Sequence, residues 1–432
     1  MPLGLNRYAV AMAWQAISAS GAVTGQLRVP GSKSLSNRAL LLAALSDGPS
    51  KIAGVLMARD TKLMIAALQT LGTKIELGEV VQVTPGKLIG GGKIDVGLAG
   101  TVMRFVPAIA ALADGETYFY GDEQASLRPM HVTIDSLRQL RINVKDNGSN
   151  TLPFTVCGAG EVAGGEVRID ISSSSQFLSA LLLVGARFNL GVTVVNTANT
   201  VPSLPHIEMT IANLAEHGVI VERGKNTWKV LPGPIKAINR IIEPDVSNAT
   251  VFLAAAMLTG GDVTILDWPK SSSQPSNEIL KVFEQLGGKI ELTDIGLRLI
   301  GPTEISPIKV DLSAVGEITP TITAVAAAAT GISVLTGIGH LRGHETDRLK
   351  ALVTELAKVG IFAKELPDGL EIHGGTLTPA TDQLHSYHDH RMATFAAILG
   401  LRVPLELDDI ATTAKTIPDF TNLWQHFIAG VV

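Results

Sequence analysis

The sequence predicts an α/β (α+β) protein of two similar domains, each built from three βαβαββ units, and three observations carry that expectation. At 432 residues the chain exceeds one ordinary core, so two domains of roughly 200 residues each are expected. Hydrophobic residues make up 46% but aromatics only 4%, with 43 glycines, which suits close-packed strand and helix layers better than a β-sandwich. Finally, one local pattern recurs about every 70 residues: an amphipathic helix, a break, then a short β-prone run with charged neighbours.

In chain order, MIAALQTLGTKIEL breaks at Gly72, TIDSLRQLRINVK at Arg141, TIANLAEHGVIVE at Gly218, EILKVFEQLGGKIEL at Gly287 and LVTELAKVGIFAKE at Gly360. A sixth helix, PDFTNLWQHFIAG, comes one period later, but the chain stops at Val432 before its strand can follow. Strands around Met12 to Ala16 and Gly25 to Val29 are expected to complete that unit. The domains then run over 31–242 and over 1–30 with 243–432, crossing near Val29 to Ser32 and near Ile241 to Asp245. A ligand site is expected in the cleft between them.

Composition excludes several classes. The single cysteine, Cys157, rules out a disulfide framework or a cysteine-rich metal site and fits a reducing cytoplasm. It follows Pro153-Phe154-Thr155-Val156 and reads as a buried strand thiol. MPLGLNRYAVAMAWQAISAS lacks a basic start followed by a long apolar run, so no secretion signal is expected. Ile318 to Gly339 is uncharged and bilayer-long, but Pro320, its threonines and three glycines argue for a buried helix-turn-strand. A net charge of −5 without a basic run gives no reason to expect nucleic acid.

LRVPGSKSLSNRALLLAAL reads as strand, glycine turn and a helix start rich in donors. Ser34 and Ser36 can cap it, and Lys33 and Arg38 add charge-assisted donors for phosphate or carboxylate. A capped helix with two solvated cations is the plainer alternative, and the Walker spacing is absent. AGTVMRF places Gly100 and Thr101 at another helix start with Arg104 in the next turn, and SLRPM brings Arg128. ISSSSQFLSALLL sets Ser174, Ser175 and Gln176 before an apolar helix, and VPSLPH adds Ser203, though a serine run alone reads as a loop.

RGHETDRL packs His344, Glu345, Asp347 and Arg348 together, YHDHRMA packs Asp389, His390 and Arg391, and TTAKTIPDF holds Lys415 before the last helix. The adjacent arginines oppose a metal ion. Lys33, Arg38, Arg128, Arg348, Arg391 and Lys415 come from both halves of an acidic chain, each at a loop-helix junction. A cleft for highly anionic substrates follows, with Glu317 and Glu345 as acid-base candidates.

PGSKSLSNR, AGTVMR, SSQFLSALL, HETDRL, DHRMA and TAKTIPDF, in that order, resemble the 5-enolpyruvylshikimate-3-phosphate synthases from about Gly25 to the C-terminal helix. The resemblance implies transfer of the carboxyvinyl group of phosphoenolpyruvate to the 5-hydroxyl of shikimate 3-phosphate, on the cytoplasmic path to chorismate and aromatic amino acids. It implies a monomer with no metal or organic cofactor, no nucleic acid and no membrane. By resemblance, Lys33, Ser34, Arg38, Ser174, Ser175, Gln176, Ser203, Glu317 and His344 hold shikimate 3-phosphate. Lys33, Gly100, Thr101, Arg128, Gln176, Arg348, His390, Arg391 and Lys415 hold phosphoenolpyruvate. Glu345 then serves the methylene carbon, Glu317 accepts the hydroxyl proton and Lys33 stabilises developing charge.

Departures from the family pattern are Glu317 for a common Asp, His344 for Lys, His206 for Tyr, His340 for Asn and Leu98 for Asn. A titratable His344 predicts loss of shikimate 3-phosphate affinity above pH 7. Gly100 and Thr101 keep the pattern of sensitivity to the family inhibitor glyphosate, while Leu98 and Phe105 alter its surroundings. Two rivals differ in class or acceptor: the UDP-N-acetylglucosamine enolpyruvyl transferase, which carries a reactive loop cysteine, and a non-catalytic phosphosugar binder, which needs neither Glu317 nor Glu345.

Overall fold

The computed structural model describes residues 13–430. Residues 1–12 and 431–432, including Met12 of the first expected strand and the outer ends of the discontinuous domain, lie outside the described residues. Six units follow one another. The first holds helices α1 (Lys33–Leu45) and α2 (Arg59–Thr70), and the second α3 (Gly100–Ala110), the single turn α4 (Glu123–Ser126) and α5 (His131–Gln139). The third holds α6 (Gln176–Gly185) and α7 (Leu204–Glu216), the fourth α8 (Val246–Thr259) and α9 (Ser276–Gln285). The fifth holds α10 (Thr319–Ala327) and α11 (Arg348–Lys358), the sixth α12 (His390–Gly400) and α13 (Phe420–Ile428).

Five units share one four-stranded order, typified by Lys93–Asp95, Asp114–Tyr120, Phe154–Ala159 and Asn143–Lys145: one parallel pair, then two antiparallel pairs. The parallel pair needs a helical crossover and the last two strands need only a tight turn, which gives the βαβαββ connectivity. The sixth sheet is smaller. Trp14–Gln15 pairs antiparallel with Glu406–Leu407, and Leu384 bridges Leu407 in parallel.

Only the first of the two expected N-terminal strands therefore completes the sixth unit. The second, Thr24–Leu27, runs parallel to Asp262–Leu266 and opens the fourth unit. Arg240–Ile241 is its counterpart, pairing parallel with Ser50–Ala53 of the first unit. A four-residue strand carries too little pattern to specify which of two sheets takes it, so sequence order misleads here.

The expected breaks fall on left-handed backbone. Gly72, Gly218, Gly287 and Gly360 have φ of +100°, +77°, +100° and +79°, and Arg141 has +64°. That is the position after a helix that glycine, lacking Cβ, fills without strain.

Within each unit the first long helix is buried nearly all round (α1, α3, α6, α8, α10, α12), while the second buries one face. Two hydrophobic cores result: one gathers residues from Leu35 to Ile242, the other Val23, Leu27 and Val29 with residues from Val246 to Phe427. The bodies around them are the first and second lobes. Their linking segments run side by side, Ser32 N–H donating to Glu243 O (2.9 Å) and Asp245 N–H to Pro30 O (3.0 Å). Gly31 permits this approach, since a Cβ there would lie 2.1 Å from Gly54 O.

Ile318 to Gly339 forms the expected helix-turn-strand, α10 followed by Gly331–Thr336, with the helix wholly buried and the strand buried only at Ser333 and Leu335. Among the described residues no helix is long and apolar enough to cross a membrane. Cys157 lies on a strand but is only half-buried, because period-two alternation turns Val156 into the core and Cys157 outward, where its thiol donates to Glu116.

Candidate active site

The inner helices begin at one place. The starts of α1, α3, α6, α8 and α12, with the 3-10 turn Gly316–Ile318 leading into α10, meet around the cavity between the lobes. Free N–H groups and the positive end of each helix dipole converge there, which favours an anion before any side chain is counted. The lining then adds six Lys and Arg side chains against four carboxylates.

From the first lobe, α1 presents Lys33 and Ser34. Its cap is Ser32, whose hydroxyl accepts from Leu35 N–H (3.5 Å), and neither Ser34 nor Ser36 serves, contrary to the sequence expectation. Ser36 is buried and accepts from Leu56 N–H (3.1 Å). Lys33 Nζ pairs with Asp60 (3.1 Å), and its N–H donates to Asp245 across the linking segments (3.2 Å). Arg38 donates to Thr210 (2.8 Å) and His206 O (3.2 Å), tying α7 to α1; burial lowers its pKa to about 10, so it stays cationic.

Gly100 and Thr101 open α3. Arg104 donates to Gln176 (2.7 Å) and Arg128 to Leu98 O (3.1 Å), and the Nε of both arginines is a buried donor without a partner among the described residues. Ser174 accepts from Gln176 N–H (3.2 Å), Ser175 stands at the N-cap position of α6 without a capping side-chain bond, and Ser203 sits left-handed at φ +51° with its N–H on Ser313 O (2.8 Å).

The second lobe supplies Glu317 and Glu345. Glu345 accepts from Lys415 Nζ (2.6 Å) and faces His390 Nδ1 (3.1 Å). Asp389 caps α12 and holds Arg348 with two hydrogen bonds (2.7 and 3.1 Å), both groups almost wholly buried. Arg391 donates to Ser247 Oγ and O (2.7 and 3.1 Å), and Glu317 lies 3.5 Å from His206 of the other lobe. All the residues named for the two substrates from sequence line this cavity except Lys415, which reaches it through Glu345. Asp60, Arg104, Asp245 and Ser247 line it too and were not singled out as site residues. The available signal for Asp245 was its place before an apolar helix as an N-cap.

A sequence model described as EPSP synthase (3-phosphoshikimate 1-carboxyvinyltransferase) matches residues 17–424. The chain belongs to the EPSP synthase family. Two structures of EPSP synthase from Acinetobacter baumannii share its fold, each with a TM-score of 0.79 at 24% identity, covering 95% and 96% of this chain and 97% and 98% of theirs. The EPSP synthase reaction moves the carboxyvinyl group of phosphoenolpyruvate to shikimate 3-phosphate in the shikimate pathway, and it is the activity of this chain.

Electrostatics separate the titratable groups of this EPSP synthase. Burial would raise Glu345, but Lys415 first, then His390 and Arg348, hold its carboxyl well below the ordinary range, so it is ionised at neutral pH. Burial lowers His390 to about 4 against the pull of Glu345, so the ring is neutral and its contact with Glu345 places the proton on Nδ1. Glu317, also pushed up by burial, is pulled below its usual value by His206 and then Arg391.

His344 carries no charge in the ligand-free cavity. Burial, then Arg348, His340, Arg128 and Arg104, push its pKa well below 6.5, so the ring is neutral without ligand at neutral pH. Glu345, Asp389 and His390 place ligand atoms within 4.8 Å of one another, but Lys415 and Arg348 already neutralise the two carboxylates.

Proposed function

We propose that the two carboxylates of the second lobe divide the proton traffic of the transfer, with cations of both lobes holding the anions. The observation that carries this reading is the convergence of inner-helix starts and cations on Glu317 and Glu345. Phosphoenolpyruvate sits against Lys33, Gly100, Thr101, Arg128, Gln176, Arg348, His390, Arg391 and Lys415. Shikimate 3-phosphate sits against Lys33, Ser34, Arg38, Ser174, Ser175, Gln176, Ser203, Glu317 and His344.

In the first step the π electrons of phosphoenolpyruvate take a proton at the methylene carbon while the 5-hydroxyl oxygen bonds to C2, and Glu317 accepts the hydroxyl proton. The tetrahedral intermediate then loses a proton from the new methyl group as phosphate departs. Glu345 serves the methylene carbon. It is ionised without ligand, and an anion beside it raises its pKa, so that it takes up a proton from solvent and passes it to the carbon. Lys33 stabilises charge developing on phosphate.

The domains are proposed to run over 31–242 and over 1–30 with 243–432, closing about the paired linking segments. Two separate cores support that division. A complete site within one chain supports a monomer, and a single half-buried thiol supports a cytoplasmic location. Phosphate release from phosphoenolpyruvate tests the whole reading: it is expected with shikimate 3-phosphate and not with UDP-N-acetylglucosamine, and silence with both acceptors refutes it.

A further inference from the structure

One buried carboxylate near the site takes no part in the chemistry above. Glu355 on α11 has no solvent exposure, yet it accepts the Tyr387 hydroxyl (2.6 Å), the Lys358 ammonium (2.9 Å) and His385 N–H (3.1 Å). Two of these donors belong to the loop that leads into α12. The same loop is held from the other side by Asp408, which accepts Ser386 N–H (2.8 Å) and faces His385 Nδ1 (3.1 Å).

That loop is strained. Tyr387 and His388 are consecutive non-glycine residues in left-handed backbone, at φ +54° and +56°. Such a conformation is unfavourable for residues with a Cβ and persists where surrounding contacts over-determine it. The next three residues are Asp389, His390 and Arg391, so the strain sits directly before the groups that face the cavity. Arg348 and Glu355 are both buried and lie seven residues apart, two turns along one face of α11. Arg348 grips Asp389 and Glu355 grips Tyr387, so one helix holds the loop at two points.

We propose that Glu355 and Tyr387 are positioning residues that lock the left-handed turn and thereby set the depth and angle at which His390 and Arg391 enter the cavity. This rests on the reading of Arg348, His390 and Arg391 as part of the phosphoenolpyruvate pocket. The hydroxyl of Tyr387 makes no contact with that pocket, so its influence passes through the backbone of residues 387–389.

The test uses the full chain with Tyr387→Phe, Glu355→Gln, Arg391→Ala, and the pair Tyr387→Phe with His388→Gly. Tyr387→Phe keeps the ring packing and removes one hydrogen bond; it should raise KM for phosphoenolpyruvate about tenfold while KM for shikimate 3-phosphate stays within about twofold. Glycine at the exposed position 388 adopts φ +56° without the tether, so His388→Gly in the Tyr387→Phe background should bring that KM back to within about threefold of the parent. A purely structural role would lower the melting temperature and leave both KM values alone, and that result in Tyr387→Phe overturns the proposal even if Glu355→Gln fails to fold. If Arg391→Ala raises KM for phosphoenolpyruvate and Tyr387→Phe does not, the positioning inference fails alone; if Arg391→Ala changes nothing, the pocket reading falls and takes it along.

Discussion

The two halves of the cleft carry similar numbers of cations but treat them differently. In the first lobe Lys33 pairs with Asp60, but Arg38, Arg104 and Arg128 meet only neutral acceptors, namely hydroxyls, a glutamine and backbone carbonyls, and two Nε donors have no partner among the described residues. In the second lobe Arg348 pairs with Asp389 and Lys415 with Glu345, and Arg391 on Ser247 is the exception. Cations without counter-ions leave uncompensated positive charge for an anionic ligand. Paired cations fix carboxylates in place, and in the case of Glu345 hold it ionised.

The largest effect that could break this comparison lies in the second half. Glu345→Gln should lower kcat about a thousandfold with KM values changed only a few-fold, measured by steady-state phosphate release. Near-normal turnover would remove Glu345 from proton transfer.

Asp389→Ala comes next, because it strands a buried arginine: about 3–5 kcal/mol of stability should be lost, read from denaturant unfolding. Arg128→Ala should do the opposite kind of damage. KM for phosphoenolpyruvate should rise about a hundredfold, roughly 2.7 kcal/mol, while stability stays level because no ion pair is broken. Equal stability losses in the two variants would abolish the distinction between the halves.

The smallest effect is in pH. His344 and His390 are neutral in the fold, with pKa values below that of an unfolded histidine, about 6.5. Their contribution to stability is therefore complete above about pH 6.5 and is lost progressively as pH falls towards 4. The melting temperature should drop across that window, less so in His344→Gln. Shikimate 3-phosphate affinity between about pH 7 and 8.5 reads whether the bound phosphate draws a proton onto His344: a flat profile shows that the ring stays neutral in the complex. A falling affinity would restore the sequence expectation.

Much of this was legible in the chain because it is local. A helix followed by a left-handed break and a strand depends on residues within a few positions, so Gly72, Gly218, Gly287 and Gly360, and even Arg141, could be read directly. The cation-rich helix starts could be read too, since capping and dipole effects act within a turn. Thr24–Leu27 could not be assigned to its sheet, because its partner lies more than 230 residues away and the strand is only four residues long.

The charge states were the other gap. His344 reads as a titratable group in HETDRL, and only its burial, with Arg348 beside it and Arg128 and Arg104 folded against it from two other segments, shows that it is held neutral. Asp60 and Ser247 carry no motif of their own, Asp245 carries only an N-cap signal, and all three become site residues through what folds against them. The sequence alone determined the repeated unit and the chemical types brought to the cleft, because propensity and periodicity are short-range. Tertiary structure decided which cations are paired and which carboxylates are ionised, because Coulomb interaction and desolvation depend on distances between segments far apart in the chain.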